Sequence, residues 1–330
     1  MRKAKIFIIN GIVLTSSSLL IRGVGLVFSI YVANKVGQET IGIFSLVMSI
    51  YNFAITFATS GISLACTYIV SEEFAKKNFE KGFKSVKNCI TFATTLGITA
   101  SILLIFLAPL ISSTWLNKKI SNIPIYSIAI GLPLISISSV ISGYLTSVGK
   151  SYKSAISQCI ELLVKILATY ILLKISINKG IDAICTSLIL GDVISELFSF
   201  GLNITFYFVD KKKRKLSRSY NTEINNKILK IALPVAITSY IRSGLSSLKQ
   251  FLIPFRLQAS GLNYSLAISK YGLINGMVIP VLLFCSFFIN SFSGLLVPEY
   301  SRLLAGKNFN RMKSVCYKIF AITFSFSFLI

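Results

Sequence analysis

The chain has 330 residues, 34 Lys+Arg against 11 Asp+Glu, a net charge of +23 and no histidine. The missing histidine excludes His-based metal sites, His proton relays and His-dependent catalytic triads. The positive charge is confined mainly to short segments between long apolar runs, a distribution of membrane topology and not of a nucleic-acid-binding surface.

In chain order, the first run is Gly11–Val32, with Arg22 as its single charge. The preceding Met-Arg-Lys-Ala-Lys resembles the start of a signal peptide. The apolar part is too long for one and no A-x-A-like cleavage site follows, so it is read as a retained first span. Ile41–Val70, Asn88–Asn117, Ile120–Gly149 and Tyr271–Pro298 carry no charged residue at all. Ser154–Leu173 contains Glu161 and Lys165, Ala183–Val209 contains Asp192 and Glu196, and Ile231–Phe255 contains Arg242 and Lys249. About 20 apolar residues of helix cross a bilayer core, so these eight runs predict eight spans. A ninth begins near Ile319 and stops at Ile330 with no basic anchor after it, which reads as a chain cut inside a helix. Between the second and third spans, Ser71–Lys87 mixes charges with Phe74, Phe79 and Phe83 and predicts a helix lying on the membrane surface. Pro133 and Pro280 fall inside spans and predict bends. The six cysteines show no C-x-x-C spacing and read as small apolar packing residues.

Basic residues alternate from loop to loop. Placing the N-terminus in the cytoplasm puts 23 Lys and Arg in inside segments and 7 in outside segments, with Arg22, Lys165, Arg242 and Lys249 left within spans. This fixes the expected orientation as N-in and makes the run at 211–218 a topology determinant and a contact for anionic lipid.

Two pairs of segments repeat in order. Val70–Phe79 (VSEEFAKKNF) matches Val297–Phe309 (VPEYSRLLAGKNF), and Ser18–Gly25 (SLLIRGVG) matches Thr238–Leu245 (TSYIRSGL). The copies are six spans apart, an even number, so they share one orientation. This predicts an all-α membrane protein of two six-helix lobes in parallel pseudo-twofold repeat, the second incomplete, with about nine spans present. The lobes are assigned to residues 1–210 and 227–330, joined by a cytoplasmic basic loop, 211–226.

The segments IPFRLQASG (Ile253–Gly261), YGLINGMVIP (Tyr271–Pro280) and LLVPE (Leu295–Glu299) carry a family resemblance. The Arg22 helix, the Ser71–Phe79 loop and SGYLTSVGK (Ser142–Lys150) add to it. The chain resembles the stage V sporulation protein B-like group of the polysaccharide-transport family, within the multidrug/oligosaccharidyl-lipid/polysaccharide flippase superfamily. The resemblance implies two six-helix lobes around a central cavity and movement of lipid-linked saccharides across the bacterial cytoplasmic membrane. Family members serve peptidoglycan synthesis or spore-cortex formation. The lipid II flippase branch carries two arginines in its opening helix. Arg22 matches the first and the second falls near Phe28, a departure that favours the sporulation-protein-like branch.

Arg22, Arg242 and Lys249 are the candidate substrate-cavity residues. An arginine at mid-span costs about 2.5–3.5 kcal/mol on insertion scales and needs water, a partner or an anionic ligand. Its planar fork suits a diphosphate headgroup. The competing reading of Arg22 is a structural pair, for instance with Glu161. Glu161 and Lys165 stand four residues apart in the order that favours an intrahelical pair, while Asp192 and Glu196 are like charges at the same spacing, with Lys165 or Arg22 as the partners they could take, or water. These four residues read either as structural pairs or as an ion-coupling site. No catalytic constellation, metal site or cofactor is expected, and a monomer is. Two other functions compete with a flippase: a multidrug cation antiporter of the same superfamily and a non-transporting scaffold in cell-wall or spore assembly. The opening helix offers Arg22 and no acid, which argues against the antiporter.

Overall fold

A computed structural model describes residues 20–76, 78–114, 120–212 and 224–282, and the single residues Lys313, Tyr317 and Phe324. The fold is helical: α1 (20–36), α2 (Gln38–Thr59), α3 (Ile62–Ala75), α4 (Phe79–Thr114), α5 (Ile123–Ser147), α6 (Ser151–Ser176), α7 (Ile181–Lys212), α8 (Ile224–Ala259) and α9 (Tyr264–Leu273). Among the described residues seven helical segments are long and apolar enough to cross a membrane, α2 and α3 together forming one of them. The second repeat copy at 297–309, the basic run at 213–218 and the stretch after Ile319 lie outside the described residues.

Two expectations are corrected. The run Ile41–Val70 is not one helix. It breaks where Ser60 is extended (φ −63°, ψ 135°) and Gly61 is left-handed (φ 77°). Gly61 lies against the backbone of Ala232 in α8, and a Cβ there would collide with the Ala232 carbonyl. A break in the backbone thus permits the close approach of α3 to α8. The predicted surface helix at 71–87 is also absent. α3 runs to Ala75, the chain turns, and α4 starts at Phe79. Of the three phenylalanines, Phe83 is buried and Phe74 packs against the core, while Phe79 stays exposed. Phe74 packs edge-on against Phe79, Phe83 and Tyr144 with centroids 5.2, 5.7 and 6.3 Å apart. Aromatic burial against a neighbouring helix outcompetes the interface for Phe74 and Phe83.

The α3–α4 turn, the α5–α6 turn, the end of α7 and the start of α8 share one end of the bundle, here called the basic end. Its core comprises Ile62, Cys66, Ile69, Phe83, Val86, Cys89, Ile141, Tyr144 and Tyr207, with Ile228 and Ala232 from α8. Asp210 is 2% exposed, accepts the Tyr144 hydroxyl at 2.6 Å and pairs with Lys150, tying the α5–α6 turn to α7. The core toward the opposite end joins Ile43, Leu46, Tyr51, Ile125, Ile128, Leu132 and Ile189 to Ile268 and Tyr271 of α9. Large apolar side chains such as Phe106, Leu167 and Leu245 are exposed, as lipid-facing positions of a bundle would be. Cys66, Cys89 and Cys185 are buried free thiols, as packing residues would be.

α2 and its continuation α3 run through the middle. One side meets α4, α5 and α7; the other meets α8 and α9. The Tyr240 hydroxyl donates to the Phe57 carbonyl at 3.1 Å, its ring stacks on Phe57, and Ser247 donates to the Ser49 carbonyl at 3.0 Å. At the opposite end α9 crosses α2 at glycine. A Cβ on Gly272 would strike the Gln38 carbonyl and one on Gly42 the Ile268 carbonyl, so the backbones meet without intervening side chains. Beyond Leu273 the helix widens into a π turn, Ile274–Val278. Pro280 follows, with no N–H to bond the Gly276 carbonyl and a ring that crowds it, which is the physical cause of the irregularity.

Candidate functional site

Helical rise places the charged residues of the spans at one depth. Counted from the helix ends opposite the basic end at 1.5 Å per residue, Arg22, Tyr51, Glu161, Lys165, Asp192 and Glu196 lie roughly 16–22 Å in. Charge there is costly, so its partners matter.

Lys165 on α6 does not pair along its own helix. It reaches across to α7 and forms an ion pair with Asp192, which is 5% exposed. No hydrogen bond of good geometry accompanies that contact, so the pair is held by charge. Glu161, one turn away, lies near Ser199 and feels the charges of Lys165 and Asp192. Glu196 accepts the Tyr51 hydroxyl from α2 through one carboxylate oxygen, while the other is buried without a hydrogen bond. Gly131 of α5 makes room for that free oxygen, because a Cβ there would stand 3.0 Å from it. The Thr169 hydroxyl, also buried without a partner, packs against Gly191 beside Asp192. The structure thus brings all four residues predicted as pairs or ion sites close enough for their charges to act on one another, with Lys165 and Asp192 in direct contact. The sequence singled out neither Tyr51 nor Ser199, since a tyrosine in a charge-free run is a weak signal.

Among the described residues, no three His, Cys, Asp or Glu side chains converge to hold a metal ion. The layer holds three carboxylates with Lys165 and Arg22, and charge there is costly unless it is compensated.

Arg242 and Lys249 are exposed on α8, seven residues apart and on one face. That face points away from the Tyr240, Gly244 and Ser247 side packed on α2. Arg22 is exposed on α1. Two grooves open toward the basic end. One of about 880 Å³ runs between α3 and α5, lined by Ser63, Thr67, Tyr68, Glu72, Ser142 and Thr146 among others. The other, about 340 Å³, lies between Asn88, Thr91, Phe92 and Thr95 of α4 and Ile228 and Leu229 of α8.

Residues 7–304 match the family described as polysaccharide biosynthesis protein. The chain belongs to that family. It is 24% identical to Stage V sporulation protein B of Bacillus subtilis (strain 168) over 319 residues, 95% of this chain and 61% of that one. It is 20% identical to Sporulation protein YkvU of the same organism, over 90% of this chain and 66% of that relative. The chain therefore spans about two thirds of the length of these relatives or a little less. A solved structure of the MATE multidrug transporter DinF-BH superposes with a TM-score of 0.69 at 15% identity, covering 98% of this chain and 71% of the other. At that identity the likeness speaks for the fold, a MATE-like helical membrane architecture.

Proposed function

We propose that this family member moves a lipid-linked oligosaccharide or cell-wall precursor (peptidoglycan or spore-cortex) across the bacterial cytoplasmic membrane by alternating access, without covalent chemistry. The observation that carries the reading is the placement of Arg242 and Lys249 on one exposed face of α8, at a depth comparable to that of the exposed Arg22. An anionic diphosphate headgroup entering that layer meets cations in a low-dielectric space, where charge acts more strongly than in water. In this reading α1–α7 form the first six-helix lobe and α8 opens a second, related by a parallel pseudo-twofold, about nine spans in all. The basic end is cytoplasmic, as is the N-terminus, and the protein works as a monomer. The polyprenyl tail stays in lipid, and the groove between α4 and α8 supplies an edge for it. Glu161, Lys165, Asp192 and Glu196 serve as the ion-coupling set.

A second reading, cation antiport, is favoured by the same three carboxylates, which could exchange protons for a cationic solute. The two readings separate in vesicles. Arg22→Ala and Arg242→Ala should each lower translocation of a prenyl-diphosphate-linked saccharide at least tenfold at unchanged thermal stability. Arg22→Lys should recover only part, because the bidentate fork is gone. Unchanged transport in both alanine variants, or export of a rhodamine dye with no saccharide movement, would overturn the flippase reading.

A further inference from the structure

The α3–α5 groove has a chemical character of its own. Each hydroxyl offers one donor and two acceptor sites, and four of the groove's serine and threonine hydroxyls are already engaged with the protein. Ser63 donates to the Ser139 carbonyl at 2.9 Å, Thr67 lies within reach of the Ser63 and Gly143 carbonyls at 2.9 and 3.0 Å, and Thr146 donates to the Ser142 carbonyl at 2.9 Å. Ser142 shares one proton with Ser154 at 2.7 Å. What the groove presents is a set of hydroxyls on a largely apolar surface, with acceptor oxygens at Ser63, Thr67 and Thr146 and hydroxyls able to donate at Ser71 and Tyr68. Its one carboxylate, Glu72, is met by Lys76 at 2.6 Å, and among the described residues no Lys or Arg lines the groove. Tyr68 adds a half-exposed ring able to cover the apolar face of a sugar.

Three ligand classes can be compared against that lining. A phosphate needs a compensating cation, and among the described residues no Lys or Arg lines the groove. An organic cation needs a net negative wall, and Lys76 offsets Glu72. A polyol brings donors and no charge, and the volume of about 880 Å³ falls within the usual range for small-molecule sites, about 300–1,000 Å³. Gly143 lets α5 pack directly against α3 along the groove. A Cβ there would press on the Ser63 carbonyl and crowd the Ser63 and Thr67 hydroxyl oxygens at 3.0 Å.

We infer that this groove is the saccharide subsite, taking the neutral, hydroxyl-rich part of the substrate. The diphosphate is held separately by Arg22, Arg242 and Lys249. The inference rests on the flippase reading and adds a division of labour to it. Sugar lies toward the basic end and diphosphate lies deeper.

The test compares two probes on the purified chain in nanodiscs: farnesyl-diphosphate-linked N-acetylglucosamine and farnesyl diphosphate. Thr146 bonds only within its own helix and Ser71 lines the groove, so Ser71→Ala/Thr146→Val removes two hydroxyls with little risk to folding. Affinity for the sugar-linked probe should fall about tenfold, as loss of two hydrogen bonds implies, and affinity for farnesyl diphosphate should stay within twofold. Thr146→Ser should bind like the unaltered chain. Equal losses for both probes, or none for either, would overturn the subsite while leaving the flippase reading standing. Failure of the unaltered chain to bind either probe would instead remove the flippase reading and the subsite with it. Weakened binding of a cationic rhodamine dye alone in the double variant would make the groove a cation site and overturn the inference.

Discussion

Lys165 brings one positive charge to a layer that holds Glu161, Asp192 and Glu196. Its side chain is 36% exposed while that of Asp192 is 7% exposed, so the pair is half-screened and the carboxylate is the dependent partner. Removing the lysine strands a buried charge; removing both partners does not. Lys165→Met should cost about 1–3 kcal/mol, between the values for exposed and fully buried pairs. Lys165→Met/Asp192→Asn should recover most of that. Thermal unfolding in detergent reads both, and a double variant as unstable as the single one would show that the pair is not the source. The intrahelical spacing of Glu161 and Lys165 was legible in the sequence. Pairing of Lys165 with Asp192 across helices was also among the readings, but the choice between the two partners depends on how α6 and α7 face each other.

At the scale of elements, the contacts between α2, α8 and α9 depend on what stands beside each glycine. A Cβ on Gly244 would meet only Phe53, at 3.6 Å, an ordinary contact. One on Gly276 would press on the Ile41 side chain, which can rotate, and one on Gly272 on the α2 backbone, which cannot. Alanine substitutions should therefore rank in that order. Gly244→Ala should be neutral or stabilising by up to about 1 kcal/mol, from helix propensity. Gly276→Ala should be intermediate, and Gly272→Ala should cost about 1–3 kcal/mol. Melting temperatures of the three variants check the ranking, and equal effects would show that α2 and α9 do not cross as closely as described.

For the molecule as a whole, the two ends differ. α2 and α9 close the end opposite the basic loops, with Ser265 donating to Glu39 at 2.8 Å, while both described grooves open toward the basic end. If the basic end is cytoplasmic, this is a form closed to the outside. In a background without native cysteines, Glu39→Cys/Ser265→Cys should form a disulfide under mild oxidation and arrest translocation. Thr146→Cys should react with an impermeant thiol reagent only from the cytoplasmic side. Labelling of that position from outside intact cells would reverse the orientation, and failure of the 39–265 pair to cross-link would remove the closed gate.

The solvent of this chain, the depth of its charges and its N-in expectation follow from sequence, because the cost of putting charge or bare backbone in hydrocarbon acts on each residue wherever its neighbours lie. The family resemblance was likewise readable in local segments such as Tyr271–Pro280, and the match over residues 7–304 agrees with it. Tertiary structure decided what depends on a second helix. Gly61 breaks a run that reads as continuous because Ala232 presses on it. Phe74 and Phe83 turn from the membrane surface toward Tyr144. Tyr51 joins Glu196 across 145 positions of chain, a pairing that no spacing rule contains. Burial energy and hydrogen-bond satisfaction are properties of contacts between elements, and in a helical bundle those contacts are set by packing and not by the period of any one segment.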